Sequence, residues 1–291
     1  MSGENCRICD TPLKDVFVDL GMSPIANDYV AVEKANAMEP FYPLRVFVCS
    51  SCWLVQLPAV QAADDIFRDD YAYFSSVSQS WLDHARNYVD LVSDRFRLGP
   101  DSFVVEVASN DGYLLQYFRN KKVPVLGIEP CASVAAAAKE KGVPSLVEFF
   151  GRDLARQVAD EHGKPDLIIG NNVLAHVPDL RDFVGGLKIL LKDDGIITME
   201  FPHLEKLIAM NQFDTIYHEH FSYFSFIAVS NVFSTQGLRI FDVEELPTHG
   251  GSLRIFVCHE NDSTKPESQR AAALLDRERA AGFDGLPVYT G

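Results

Sequence analysis

No stretch of this 291-residue chain is apolar for long enough to cross a bilayer; the richest run, Ala132 to Ala138, is far too short. The opening Met-Ser-Gly-Glu-Asn-Cys has no apolar leader, so a cytoplasmic protein with no membrane partner is expected. Basic runs are missing as well. Nothing exceeds Lys121-Lys122, and 26 Lys and Arg stand against 41 Asp and Glu, a net charge of −15. A surface of that sign repels phosphate backbones and excludes nucleic acid as an expected partner. A Gly-x-Gly-x-x-Gly fingerprint is also absent, which argues against a dinucleotide cofactor. With 47% hydrophobic and 23% charged residues, the chain is ordinary for a folded globular protein and long enough for about two domains.

Cysteine is scarce but patterned. Four of the six cysteines form two Cys-x-x-Cys pairs, Cys6/Cys9 and Cys49/Cys52. Four thiolates fill a tetrahedral zinc shell and leave no open position, so the expected metal site is structural. Scattered buried cysteines and a redox Cys-x-x-Cys are the alternatives; the redox reading explains one pair and leaves the other unused. Between the pairs, Leu20 to Asn27 reads as a turn and Tyr42 to Val48 as a strand. Residues 79–97 carry helical apolar spacing (Trp81, Ala85, Tyr88, Val89, Val92, Phe96) and end at Gly99-Pro100.

From Phe103 onward short apolar runs alternate with helical segments. Strands are expected at 103–107, 124–128, 145–149, 166–170 and 195–200, with helices near 113–119, 132–141, 152–162 and 180–191. That alternation predicts an α/β fold with a mainly parallel, doubly wound sheet. Two later runs, 238–243 and 252–257, flank His249-Gly250-Gly251 and predict an antiparallel edge pair. Ligands of such sheets lie at the carboxyl ends of the central strands. The loop Ala108-Ser109-Asn110-Asp111-Gly112 opens a helix there, and Glu129 ends the second strand where a carboxylate accepts from both ribose hydroxyls. With one glycine where a pyrophosphate demands three, a phosphate-free adenosine ligand such as S-adenosylmethionine fits better. A structural Asn-Asp-Gly turn with an exposed Glu is the plain alternative.

Asn171-Asn172-Val173-Leu174-Ala175-His176 follows the fourth strand, placing His176 near the same rim. Tyr217-His218-Glu219-His220 gathers ionisable groups that suit acid–base work. Its histidines are two apart, unlike the i, i+4 spacing of a helical zinc site. An aromatic packing loop with solvated histidines is the alternative.

These segments together resemble the sugar C-methyltransferases that act on nucleotide-linked 4-keto-deoxysugars. The resemblance runs from Cys6 to about Phe256 through Cys6-Arg7-Ile8-Cys9, Leu20 to Asn27, Cys49/Cys52, Asp70 to Ser76, Glu106 to Leu115, Gly127 to Pro130, Asn171 to Val177, Tyr217 to His220 and His249 to Arg254. It implies a class I methyltransferase Rossmann-like domain behind a small zinc-binding domain, with S-adenosylmethionine and Zn²⁺ (Cys6, Cys9, Cys49, Cys52) as cofactors. Implied cofactor-binding residues are Glu106, Ser109, Asn110, Asp111, Gly112, Glu129, Asn171 and Asn172. Implied active-site residues are Tyr73, His176, Tyr217, Glu219 and His220, with His220 the base and Glu219 orienting or charging it. Expected boundaries are 1–70 for the zinc domain, 71–100 for a helical linker contributing to the site and 101–262 for the methyltransferase domain. Residues 263–291 form a helical tail, the start of a third domain that the chain otherwise lacks. The expected partner is a nucleotide sugar, and the expected state a monomer or weak homodimer. An O- or N-methyltransferase, a non-catalytic S-adenosylmethionine- and zinc-binding module and a nicotinamide oxidoreductase are the competing functions.

Overall fold

A computed structural model describes residues 4–27, 29–60 and 74–290. Tyr73 and the Asp70–Tyr73 part of its motif lie outside these residues. Strands β4 (Val104–Val107), β5 (Val125–Ile128), β6 (Ser145–Leu146), β7 (Leu167–Asn171) and β8 (Ile196–Pro202) are near-continuous apolar runs. Such runs bury on both faces, which suits a parallel sheet covered by helices. They are joined through helices α2 (Leu115–Asn120), α3 (Ala132–Glu140), α4 (Arg152–His162) and α5 (Leu180–Leu190). The antiparallel pair β10 (Leu238–Leu246) and β11 (Ser252–His259) completes a seven-stranded sheet of order β10-β11-β8-β7-β4-β5-β6. Strand order reverses at β4, which has β5 on one side and β7 on the other, so a crevice opens at the carboxyl ends of these three. Of the expected third strand only Ser145–Leu146 pairs; Val147 and Phe149 stay exposed.

Helix α1 (Gln79–Phe96) starts where the Ser78 hydroxyl accepts from Trp81 N–H and stops at Arg97 in the left-handed region. It packs on the sheet through Ala85, Tyr88, Val89 and Val92, and the Tyr88 hydroxyl meets Thr198 of β8 at 2.6 Å.

A second sheet has the order β1-β2-β3-β9, built from β1 (Asp15–Ser23), β2 (Tyr42–Val48), β3 (Val55–Gln56) and β9 (Ser222–Tyr223). Leu20 to Ser23, expected to turn, finish β1. That strand has no buried residue and hence no apolar alternation to betray it. β9 comes from far along the chain and pairs with β3, Val55 opposite Tyr223 and Gln56 opposite Ser222.

Helices α6 (Leu204–Ala209) and α7 (Phe226–Ser234) had no counterpart in the sequence reading, and α7 is apolar nearly all round, which hides its period. Helix α8 (Gln269–Ala280) docks on α7 through Glu278, whose carboxylate accepts from Phe226 N–H at 2.7 Å and Ile227 N–H at 2.8 Å. His203, at the end of β8, adds Nε2 at 2.7 Å. Among the described residues no helix is long and apolar enough to cross a membrane.

Because Glu278 and His203 are both buried, removing the carboxylate leaves two helix-terminal N–H groups and an imidazole without an acceptor. Glu278→Ala is expected to destabilise the fold by about 3–5 kcal/mol in chemical denaturation. A change of less than about 1 kcal/mol would show that solvent replaces the carboxylate there.

Candidate functional site

The four paired cysteines converge. In each pair the residue after the second cysteine is left-handed (Asp10, φ 60°; Trp53, φ 64°). Its N–H returns to the carbonyl of the first cysteine, at 3.0 Å in both cases. Two matching knuckles thus aim four sulfurs at one point, all within 4.8 Å of one another. Cys6 and Cys52 Sγ stand 3.5 Å apart and Cys9 and Cys49 Sγ 3.4 Å, near the ~3.8 Å edge of a tetrahedron with ~2.3 Å Zn–S bonds. Ile8 N–H and Gln56 Nε2 point to Cys6 Sγ, and Ser51 N–H points to Cys49 Sγ, donors that suit thiolates. Hydrogen bonding among the thiols holds Cys6 far below its ordinary value and Cys52 far above, because crowded thiols do not all ionise together. A closed Cys₄ zinc site fits this donor set, and it is structural.

A separate cavity of about 390 Å³ lies at the tips of the central strands. Its lining includes Val107, Ala108, Asn110, Ile128, Glu129, Asn171 and Asn172 on the sheet side. Ala108, Asn110 and Asn172 all have positive φ (55°, 48° and 52°), a concentration of strained backbone at the rim. Gly112 (φ 74°) sits where an added Cβ would meet Val143 Cγ2 at 3.0 Å, so the loop turns there only as glycine.

Both oxygens of the Glu129 carboxylate accept backbone N–H groups, from Asn110 at 2.9 Å and Cys131 at 3.0 Å. Burial raises its carboxyl above the ordinary value and these bonds oppose the rise. Its remaining lone pairs are available to hydroxyl donors in the cavity. Asn172 Oδ1 and Asn171 Oδ1, on two cavity-lining residues, are buried acceptors with no partner among the described residues. Orphaned acceptors of this kind suit a ligand that brings donors, and an adenosine-linked amino acid does.

Not every residue expected to bind the cofactor reaches the cavity. Glu106, Ser109, Asp111 and Gly112 are buried or packed behind its wall. Asp111 Oδ2 bonds the Ser76 hydroxyl and pairs with Lys141 Nζ at 2.8 Å, tying the start of α1 to α3. Burial, with Glu129 and Asp111 nearby, lifts the Glu106 carboxyl well above the usual range, and among the described residues neither of its oxygens has a hydrogen-bond partner; the Tyr113 hydroxyl is 3.3 Å from Asn171 Nδ2.

The opposite wall is the histidine loop: Tyr217, Glu219 and His220 line the cavity together with His176. The loop's backbone is pinned on two sides. Phe221 N–H donates to Ala175 C=O at 2.7 Å, and Phe221 C=O accepts from Leu57 N–H at 3.0 Å. His220 Nδ1 lies 2.8 Å from Thr215 C=O, which only accepts, so Nδ1 carries the proton. Nε2 is then the acceptor, and it takes a hydrogen bond from the Tyr217 hydroxyl at 3.0 Å. Burial pushes His220 down to about 4, with His249 adding to the shift and the Thr215 bond opposing it. Burial and then His220 push His176 down to about 3. Both imidazoles are neutral near pH 7. The two rings stand edge to face at 4.7 Å.

Several lining residues carried no sequence signal. Trp81 stacks on His84 (4.9 Å between centroids) and meets His249 edge-on at 5.4 Å. Behind them the buried Glu200 accepts from His84 at 2.9 Å, Arg254 at 2.7 Å and Thr248 at 3.0 Å. Burial raises the Glu200 carboxyl, and His84 and Arg254 outweigh it to leave the group below its ordinary value. Asn27 and Phe149 also reach the cavity. An aromatic at a helix start and an Asn after a strand are too common to single out beforehand.

Comparison with known proteins agrees with this layout. Residues 6–67 match a zinc binding domain, 80–243 a methyltransferase domain and 247–291 a C-methyltransferase C-terminal domain. Part of the C-terminal domain expected to be missing is therefore represented here. C-methyltransferase NovU of Streptomyces niveus is 35% identical over 98% of this chain and 68% of its own length. A ubiquinone biosynthesis O-methyltransferase of Rhodopseudomonas palustris (strain BisA53) is 23% identical over 45% of this chain and 60% of its own. Among solved structures, a Pyrococcus horikoshii protein superimposes with a TM-score of 0.53 at 15% identity, covering 64% of this chain and 94% of that one.

Two measurements follow. Native mass spectrometry is expected to find one zinc per chain, lost in Cys52→Ser with a lower melting temperature; an unchanged metal content would remove Cys52 from the shell. Buried His220 refuses protons that the unfolded chain binds. Stability therefore holds above about 6.5 and falls as pH drops toward about 4. His220→Gln should flatten that fall in melts run from pH 7 to 4.5, and an identical slope would contradict the assignment.

Proposed function

The chain belongs to the C-methyltransferase family and is an S-adenosylmethionine-dependent methyltransferase, and on that premise we propose that its acceptor is the carbon beside the ketone of a nucleotide-linked 4-keto-deoxysugar. One observation carries this reading. A neutral imidazole with a fixed lone pair, His220 Nε2, shares a cavity with the strand tips that suit the cofactor. Methylation of oxygen or nitrogen starts from a ready lone pair, whereas methylation of carbon needs a proton removed first.

Glu129, Asn171 and Asn172 would hold the cofactor, which supplies an electrophilic methyl on a sulfonium. Thr215 C=O fixes the His220 tautomer, so Nε2 faces Tyr217 and the cavity. His220 takes the proton from the carbon beside the ketone, either directly or through the Tyr217 hydroxyl. The C–H electron pair becomes the enolate. That carbon would then take the methyl that a bound cofactor supplies, the S–CH₃ electron pair staying on sulfur. The sequence reading had Glu219 orient or charge the base; Thr215 does the orienting, which leaves Glu219 as the negative charge that offsets the imidazolium. His176, kept neutral by burial, spends its one N–H on the backbone carbonyl of Glu219, so the donor suited to the developing oxyanion is the Tyr217 hydroxyl, released once His220 Nε2 carries the proton. The acidic surface is no obstacle to a single nucleotide, since the cavity walls are mostly neutral side chains.

A positioned general base is worth about 10²–10⁴-fold, so His220→Ala is expected to lower kcat by that factor while the S-adenosylmethionine Kd stays within about twofold. Glu129→Ala should do the reverse, weakening cofactor binding in calorimetry. Incubation in D₂O with a nucleoside-diphosphate 4-keto-6-deoxyhexose should place deuterium beside the ketone. If the protein exchanges no such proton and methylates no carbon of that substrate, yet methylates a hydroxyl or amine, the carbon-acid reading is wrong.

A further inference from the structure

The zinc-bearing module sends one polar side chain into the methyl-transfer cavity. Asn27 follows β1, whose last pairs, Met22 with Pro43 and Ser23 with Tyr42, close the hairpin with β2. Its backbone is left-handed at φ 61°, a conformation Asn tolerates better than most residues. From there Nδ2 donates to Glu219 Oε1 at 2.7 Å. Glu219 is buried, and among the described residues Asn27 is the only side chain hydrogen-bonded to its carboxylate. The same end of the hairpin is tied to the same loop a second time. His218 Nε2 donates to Pro43 C=O at 3.2 Å, and the Tyr42 ring meets His218 edge-on at 6.1 Å. Both Asn27 and Glu219 line the cavity.

We propose that Asn27 is a positioning residue: its amide holds the Glu219 carboxylate in the cavity as the counter-charge to the proton received at His220, so the zinc module completes the reaction site as well as supporting it. The inference rests on the role assigned above to Glu219. Electrostatics agree with the geometry. Burial raises the Glu219 carboxyl above its ordinary value, and the Asn27 bond is what opposes that rise. His176, Tyr217 and His220 share the cavity wall with it, as do Glu129, Glu148 and His249, while its chain neighbour His218 turns to Pro43 C=O. Without the amide, the carboxyl holds its proton to higher pH and loses its aim. A turn-forming role alone makes a different forecast, since glycine adopts the same backbone at no steric penalty.

Asn27→Gly therefore removes the amide while keeping the turn, and Asn27→Asp replaces a donor with a repelling acceptor. The variants should keep their zinc and their melting temperatures close to wild type. With S-adenosylmethionine and a nucleoside-diphosphate 4-keto-6-deoxyhexose, Asn27→Gly is expected to lower kcat about tenfold with KM within about twofold, the worth of one hydrogen bond to a charged group. Asn27→Asp should lose more. The acid limb of the kcat profile should move to higher pH in both. A substrate-free readout separates this inference from the choice of substrate. In infrared titration of the resting protein, the protonated-carboxyl band assigned through Glu219→Gln should persist to higher pH in Asn27→Gly. An unmoved band overturns the proposal even if the enzyme is active, as does a loss confined to KM. If wild type ignores the sugar nucleotide but the band moves, the substrate reading fails and the Asn27–Glu219 coupling stands.

Discussion

Two residues of strand, Ser222 and Tyr223, decide where the histidine loop of this protein sits. By pairing with Val55 and Gln56 they carry the end of the histidine loop into a sheet that begins at the cysteine knuckles. Phe221 then serves as a two-sided peg, its N–H on Ala175 behind β7 and its carbonyl on Leu57 behind β3. A loop held at both edges by backbone hydrogen bonds has little freedom to drift. Its side chains consequently face the strand tips at which a parallel sheet presents its ligand. Were the loop tethered to one sheet alone, Tyr217, Glu219 and His220 would have no fixed relation to Glu129 and the asparagines.

The electrostatic character of the site follows from that enclosure. The surface is strongly acidic, yet the cavity holds imidazoles that burial keeps uncharged, His176 and His220 both well below their usual range. Desolvation is the leading cause in each case. A buried neutral base is a weaker base than a solvated one, but it is unprotonated at working pH and its lone pair is fixed by Thr215. The strain at the opposite rim, with Ala108, Asn110 and Asn172 in the left-handed region, belongs to the same design: backbone conformations of that kind persist only where packing over-determines them.

The cysteine cluster and the cavity are thus coupled mechanically. Zinc ligation fixes the knuckles, the knuckles fix β2 and β3, and these fix both the β1–β2 hairpin bearing Asn27 and the strand that follows the histidine loop. Small modules bury too little apolar surface to hold such a hairpin by hydrophobic packing alone, and a closed metal shell supplies what the core lacks. At the other end, Glu278 clamps the C-terminal helix to the catalytic sheet through His203, so the region matching the C-terminal domain is anchored behind β8.

Local pattern made much of this legible. Helix 152–162 and strand Tyr42–Val48 were read to the residue, because their apolar spacing and boundary residues act within a few positions of one another. The cysteine pairs announced their partners through spacing, and the strand–helix alternation announced the parallel sheet. What escaped had no local signature: β1 has no fully buried residue, β9 is two residues long, and α7 is apolar on most sides. Nor did the sequence distinguish Glu129, which faces the cavity, from Glu106, which is sealed behind its wall, and Asp111, which is spent on Ser76 and Lys141. The sequence by itself determined which chemical groups this protein owns and in which class of fold they sit, since propensity, periodicity and thiol spacing are short-range properties. Only the tertiary structure decided which of those groups meet. Contacts such as Asn27 with Glu219 join positions 192 residues apart, and such distances are closed by sheet pairing and burial, which no window of sequence contains.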